Sequence, residues 1–192
     1  MASSSILTVA WRRYLQQLDQ RPLRTKALTA AVLSALSDLL AQRLAGSART
    51  PVNWRRTLAI ALYGFLWGGP SAHFWQQFLA GALPNRKRDS SVTAKRVLLD
   101  QLSYGPVQNA AFMVFMAKVV EGRSWGATGD KLRKDFGAVQ RRGWRVWPLA
   151  SWVNQQFVPL QLRVVFLNLV ALGWTTSLIL SSRTAPKLLK AA

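Results

Sequence analysis

The sequence predicts an all-α fold: a polytopic membrane helix bundle of about four transmembrane helices, accompanied by amphipathic interfacial helices. Three observations carry that expectation. First, 26 Lys and Arg stand against 7 Asp and Glu, a formal net charge of +19, yet half of the residues are hydrophobic. Second, the charges are clustered. Uncharged runs of 29 residues (57–85), 19 residues (164–182), 17 residues (101–117) and 17 residues (146–162) separate the basic groups. Roughly 20 apolar residues carry a helix across the hydrocarbon core, so these gaps have membrane length. Third, the stretch WRVWPLASWVNQQFVP (144–159) mixes Trp, Pro and flanking Arg, a composition that suits a membrane–water interface. Nucleic acid would explain the charge and the aromatic rings, but not the uncharged gaps, so no nucleic-acid partner is expected.

The elements follow in chain order. Residues 6–19 place Ile6, Val9, Leu15 and Leu18 among Arg12, Arg13 and Tyr14, the pattern of an interfacial helix, and Pro22 interrupts it. The first span is expected at about 27–45. It is rich in Ala, Leu and Ser but carries Asp38, whose insertion cost of about 3 kcal/mol roughly cancels the gain from its Leu and Val residues. Ser34, Asp38 and Gln42 repeat every four residues and form one polar stripe. Ala27, Ala31 and Ala35 form a row of small residues that lets a neighbouring helix approach closely. Two readings of the polar stripe stand side by side: hydrogen bonding between helices, and the lining of a watery path.

The second span, about 57–83, contains Gly64-Phe-Leu-Trp-Gly68, then Gly69 and a kinking Pro70. His73, the sole histidine, follows one turn later as either a packing group or a titrating one. The third span, about 97–119, puts Asp100, Tyr104 and Gln108 on one face and Gln101, Gly105 and Asn109 on the next, with Pro106 freeing carbonyls toward a polar interior. Residues 128–143, TGDKLRKDFGAVQRRG, are too charged to span and read as a surface segment forming a short amphipathic helix. Residues 144–162 are interfacial or membrane-embedded; hydropathy leaves open whether they cross, re-enter or extend the last helix. Arg163 then opens the last span, about 164–182, which carries Asn168. The whole chain, 1–192, is a single integral membrane domain.

No cysteine is present, which excludes disulfides and thiol chemistry, and one histidine cannot build a multi-histidine metal site. No nucleophile–base pair, phosphate loop or metal cluster stands out, so neither an enzyme, a cofactor nor a metal is expected. The candidate pore or intramembrane polar residues are Ser34, Asp38, Gln42, His73, Asp100, Gln101, Tyr104, Gln108, Asn154, Arg163 and Asn168. Of the ionisable ones, at least one acid is expected to pair with Arg163 or another interior base.

The segments WRRYLQQLDQRPLRTKALTA, GGPSAHFW, KRVLLDQLSYGP and WRVWPLASWVNQQFVPLQLR, with Asn168 and Trp174 downstream, resemble the small four-span family of peroxisomal and mitochondrial inner-membrane proteins. The resemblance covers nearly the whole chain. It implies membrane permeability: channel-like passage of small metabolites or ions through a lipid bilayer, with a structural or assembly role as the alternative and homo-oligomerisation left open. It also implies the peroxisomal membrane, on the likeness around Leu23 to Ala27, with the mitochondrial inner membrane as the alternative. The chain departs from the family pattern in places. Many relatives have Gln where Ser151 stands, an aromatic residue where Gln155 stands, and Tyr where Gln76 stands.

Overall fold

The computed structural model describes residues 2–45, 51–85 and 88–174, and every regular element among them is helical. Helix α1 (Ala2–Gln20) turns at Arg21 into α2 (Pro22–Ala45), where the proline sits at a helix start and gives up no intrahelical bond. The two helices double back on each other. The Thr25 hydroxyl donates to the Gln17 carbonyl at 2.9 Å, and Tyr14 and Thr29 share a 3.1 Å hydroxyl contact one turn further along. Helix α3 (Trp54–Tyr63), capped by the Asn53 side chain, continues through the π-turn Gly64–Gly68 into α4 (Gly69–Ala82). Helix α5 (Ser90–Leu99), capped by Asp89, continues through the π-turn Asp100–Tyr104 into α6 (Gly105–Phe115) and a closing π-turn, Met116–Val120. The amide of Ser91 holds the Asp89 carboxyl below the usual carboxylate range.

The expected spans 27–45, 57–83 and 97–119 fall on α2, α3–α4 and α5–α6. Within a single α-helix, only α2 is long and apolar enough to cross a membrane among the described residues. The others read as shorter pieces because π-turns interrupt them. Each of the two prolines expected to kink a helix, Pro70 and Pro106, lies just after such a turn. A proline lacks the N–H its i−4 carbonyl needs, and an i→i+5 turn placed before it takes up the disrupted bonding while the helix runs on.

The π-turn also resets which glycine faces α2. The spacing predicted Gly64 and Gly68, but a turn widened by one residue brings Gly69 beneath Gly64 instead. A Cβ on Gly64 would lie 2.7 Å from Ser34 Oγ and 2.8 Å from the Ala30 carbonyl oxygen; one on Gly69 would lie 2.6 Å from Ala27 Cα. The contact row on α2 is therefore Ala27, Ala30 and Ser34 rather than Ala27, Ala31 and Ala35. Ala27 and Ala30 are buried, whereas Ala31 and Ala35 are only partly covered.

The segment expected as a surface amphipathic helix is one, longer than expected and packed along the bundle by its buried face. Residues 125–143 form α7 (Trp125–Gly143), 19 residues long, whose Thr128, Gln140 and Gly143 are buried against the bundle. It starts beside Lys118, which sits 4.5 Å over the Trp125 ring, and ends with Gln140 bonded to Asn109 at 2.8 Å and Trp144 donating to the Gln101 carbonyl. Near its start, Lys131 and Arg123 both bind Glu121 and hold that carboxyl below its usual range. Helix α8 (Trp147–Phe157) then runs along α5, with Gln156 reaching the Arg88 carbonyl. Together α7 and α8 retrace the whole length of residues 90–120. After a break at residues 158–162, α9 (Arg163–Trp174) descends again; the rest of the expected last span, 175–182, lies outside the described residues, as do Arg86 and Lys87. Residues 146–162 thus neither extend the last helix nor cross alone. The physical reason is chain polarity: α5–α6 and α9 run in the same direction, so the chain between them must return.

Gly69→Ala should cost about 2 kcal/mol, because a methyl placed against backbone forces α2 and α4 apart. Gly81→Ala, whose Cβ would meet nothing within 4 Å, should leave the thermal midpoint in detergent unchanged or slightly raised. Equal midpoints for the two variants would show that the close approach is dispensable.

Candidate functional site

The antiparallel elements give the bundle two ends. One holds Lys26, His73, Arg96, Gln155 and Arg163; the other holds Gln42, Asp38, Arg56 and Lys118. At the second end the stripe Ser34–Asp38–Gln42 meets α3. Asp38 is 3% exposed and accepts from Thr57 Oγ1 at 2.7 Å and from Gln42 Nε2 at 2.6 Å, while Arg56 Nε approaches its other oxygen at 2.9 Å. Gln42 in turn accepts from the Asn53 amide at 2.7 Å. The buried acid is therefore paired, with Arg56 rather than Arg163. The pair contact is close but poorly aligned as a hydrogen bond, since neither Asp38 Oδ1 nor Arg56 Nε has a well-directed partner.

Along the middle, the second polar face is drawn together by ring and amide contacts. Trp75 donates to Asp100 at 2.8 Å and stacks on Tyr104 with ring centroids 5.1 Å apart. Gln101 Nε2 donates to the other Asp100 oxygen at 3.1 Å. Gln108 accepts from Trp67 at 3.0 Å and donates to Ser71 at 3.1 Å, and Ser71 meets the Tyr104 hydroxyl at 3.2 Å. No cation lies within ion-pair distance of Asp100 among the described residues.

Two cavities lie between these helices. The first, about 360 Å³, is bounded by Ser34, Asp38, Arg56 and Tyr63. The second, about 240 Å³, is bounded by Asp100, Gln101, Tyr104, Gln108, Trp144 and Trp147. Gly68, Asn168 and Ala171 border both, so the two adjoin where α9 crosses the α3–α4 π-turn. The buried Tyr63 hydroxyl on the first has no protein partner among the described residues. Of the sequence candidates, Ser34, Asp38, Asp100, Gln101, Tyr104, Gln108 and Asn168 come together on these walls. Gln42 stands behind Asp38. Trp144 and Trp147 border the second cavity, and Trp144 is also exposed on the bundle surface.

His73, Asn154 and Arg163 do not join them. His73 Nδ1 lies 3.1 Å from Lys26 Nζ, and both side chains are buried. Asn154 is fully enclosed, and neither atom of its amide has a partner among the described residues. Arg163 donates to the carbonyls of Val158 (3.1 Å) and Gln155 (3.2 Å) and to Gln155 Oε1 (2.8 Å). Arg96 donates twice to the Leu83 carbonyl, at 2.9 and 2.6 Å, and once to the same Gln155 Oε1 at 3.2 Å. Each arginine thus seals the C-terminal end of a helix, α4 for Arg96 and α8 for Arg163, where free carbonyls and the negative end of the dipole favour a cation. Of the two partners expected for an interior acid, Arg163 or another base, Arg163 is taken up by carbonyls and Arg56 meets Asp38.

Lys26 and Arg96 were missed because a basic residue flanking an apolar run reads as solvated. One signal could have found part of this junction. Gln76 and Gln155, two of the positions where the chain departs from the family pattern, are bonded to each other at 2.9 Å, and Ser151, the third, is buried one turn before Gln155. Replacing either amide alone by the aromatic residue common in relatives strands its partner; replacing both removes that loss, while Arg96 and Arg163 keep only their carbonyl acceptors. In a double-mutant cycle, Gln76→Tyr with Gln155→Phe should therefore be more stable than the sum of the single changes by about 1–3 kcal/mol. Additive costs would mean the two amides are not coupled.

Comparison with known proteins gives a consistent result. Residues 118–178 match the model of the Mpv17 / PMP22 family. The chain is 37% identical to peroxisomal membrane protein PMP22 of Arabidopsis thaliana, over 96% of this chain and 95% of that one. It is 34% identical to peroxisomal membrane protein 2 of Bos taurus (86% and 85% covered) and 35% identical to protein SYM1 of Gibberella zeae (87% and 94% covered). No solved structure matches.

Proposed function

The chain belongs to the Mpv17 / PMP22 family of membrane proteins, and from that premise we propose that it makes its membrane permeable by channel-like passage of small solutes or ions. Its compartment is the peroxisomal membrane, that of the plant and bovine relatives by name; the mitochondrial inner membrane stands as the alternative. The relatives are named as membrane proteins, and the non-enzymatic reading rests on that naming and on the absence of a catalytic constellation in the sequence.

One observation carries the permeability reading. Sequence candidates on α2 and α5–α6, nominated by their spacing, and Asn168 on α9 face two adjoining cavities in the bundle interior, where Arg56 and Tyr63 of α3 join them. Inter-helix bonding alone explains Asp38, which accepts from Thr57 and Gln42 and is paired with Arg56. It explains Asp100 less well, because its carboxyl is held only by neutral donors and opens onto the second cavity. A liquid water takes up roughly 30 Å³, so each cavity has room for several. Their walls are mainly apolar, and the polar groups set into them lower the cost of bringing an ion or small polar solute to membrane depth.

The two acids should therefore behave differently. Asp100→Asn should insert and fold, and should shift the reversal potential of the reconstituted conductance toward anions. Asp38→Asn should instead destabilise the protein, by about 2 kcal/mol, less than a fully buried pair because Arg56 is partly solvated. Planar-bilayer recordings with thermal unfolding in detergent measure both. No conductance steps across a wide voltage range, or an unchanged reversal potential for well-folded Asp100→Asn, would return the case to a structural or assembly role.

A further inference from the structure

We infer that the outer face of α7 lines an aqueous lumen shared between copies of this chain. The inference rests on the membrane span at 97–119 and on the channel reading above. Helix α7 runs antiparallel along residues 105–120, and its Gln140 is bonded to Asn109, the midpoint of the uncharged run 101–117. The next two residues, Arg141 and Arg142, are exposed. Asp130, Lys134, Ala138 and Arg141 share the side away from the buried Thr128, Gln140 and Gly143, and the exposed Arg133 and Arg142 flank that row. None of the four basic residues has an ion-pair partner among the described residues.

Depth decides what can cover this row. From Asn109, either end of the uncharged run is eight residues away, about 12 Å along a helix at 1.5 Å per residue. That is beyond the reach of a snorkelling arginine, so Arg141 and Arg142 cannot be served by headgroups. Hydrocarbon is excluded, because exposed guanidinium groups at that depth occur against water or protein and not against lipid. The chain covers the row with nothing of its own among the described residues. A second copy presenting its own basic row directly would repel it. Copies arranged around water satisfy both constraints, with each α7 contributing one wall. Four basic groups against Asp130 give that wall a positive potential, which concentrates small anions.

The chain contains no cysteine, so single-cysteine variants report cleanly. Ala138→Cys, and Gly137→Cys, whose Cβ meets nothing within 4 Å, are compared in reconstituted vesicles with Leu66→Cys, 69% exposed on the outside of the Gly64–Gly68 turn and lining neither cavity. A membrane-impermeant, charged methanethiosulfonate should modify positions 137 and 138 an order of magnitude faster than position 66. A short bismaleimide should link Ala138→Cys chains into dimers or larger species, and modification should lower the conductance. Arg141→Glu with Arg142→Glu should move the reversal potential toward cations. Labelling at 137 and 138 as slow as at 66 would put this face against lipid or protein and overturn the inference. Rapid labelling without cross-linking would overturn the shared lumen. Labelling and cross-linking need no current, so they decide the inference even if the channel reading fails for lack of conductance.

Discussion

Arg96 and Arg163 converge on one oxygen of Gln155, and one end of the bundle depends on how these buried cations are satisfied. With little water at hand, each must find acceptors within the protein or become too costly to keep. Neither takes an acid. Each binds free carbonyls at a helix C-terminus, and the Gln155 side chain bridges the two. That junction fixes where α4 ends, where α8 ends and where α9 begins. Through Gln76 it also ties α8 to α4, one turn from the His73–Lys26 contact that joins α4 to α2. A single amide thus sets the register of four helices.

The other end solves the same problem with an ion pair. Asp38 sits where α2 and α3 meet, and Arg56, Thr57 and Gln42 surround it. Between the two ends, glycines rather than polar groups set the spacing. Gly64 and Gly69 let the α3–α4 helix lie almost backbone to backbone on α2, and the π-turn between them permits both contacts at once. Asp100, held by neutral donors without a cation, and the unpartnered Tyr63 hydroxyl both face cavities.

Much of this was legible along the chain. Uncharged gaps located the long helices, because the length of an apolar run is set by bilayer thickness. Four-residue spacing placed Ser34 with Asp38 and Asp100 with Tyr104, because helical geometry is local. The departures at Gln76 and Gln155 were visible one at a time, but not as partners, since 79 residues separate them.

The sequence by itself determined the membrane class, the helical content and which faces are polar, because each depends on neighbours within two turns. Tertiary structure alone decided the rest. It assigned Asp38 to Arg56 and Arg163 to carbonyls, because pairing depends on which helices meet. It moved the close contact from Gly68 to Gly69, because a π-turn shifts the register of everything after it. It also joined residues 125–143 and 147–157 into one return path along residues 90–120, because the direction of α9 requires the chain to climb back before it can descend.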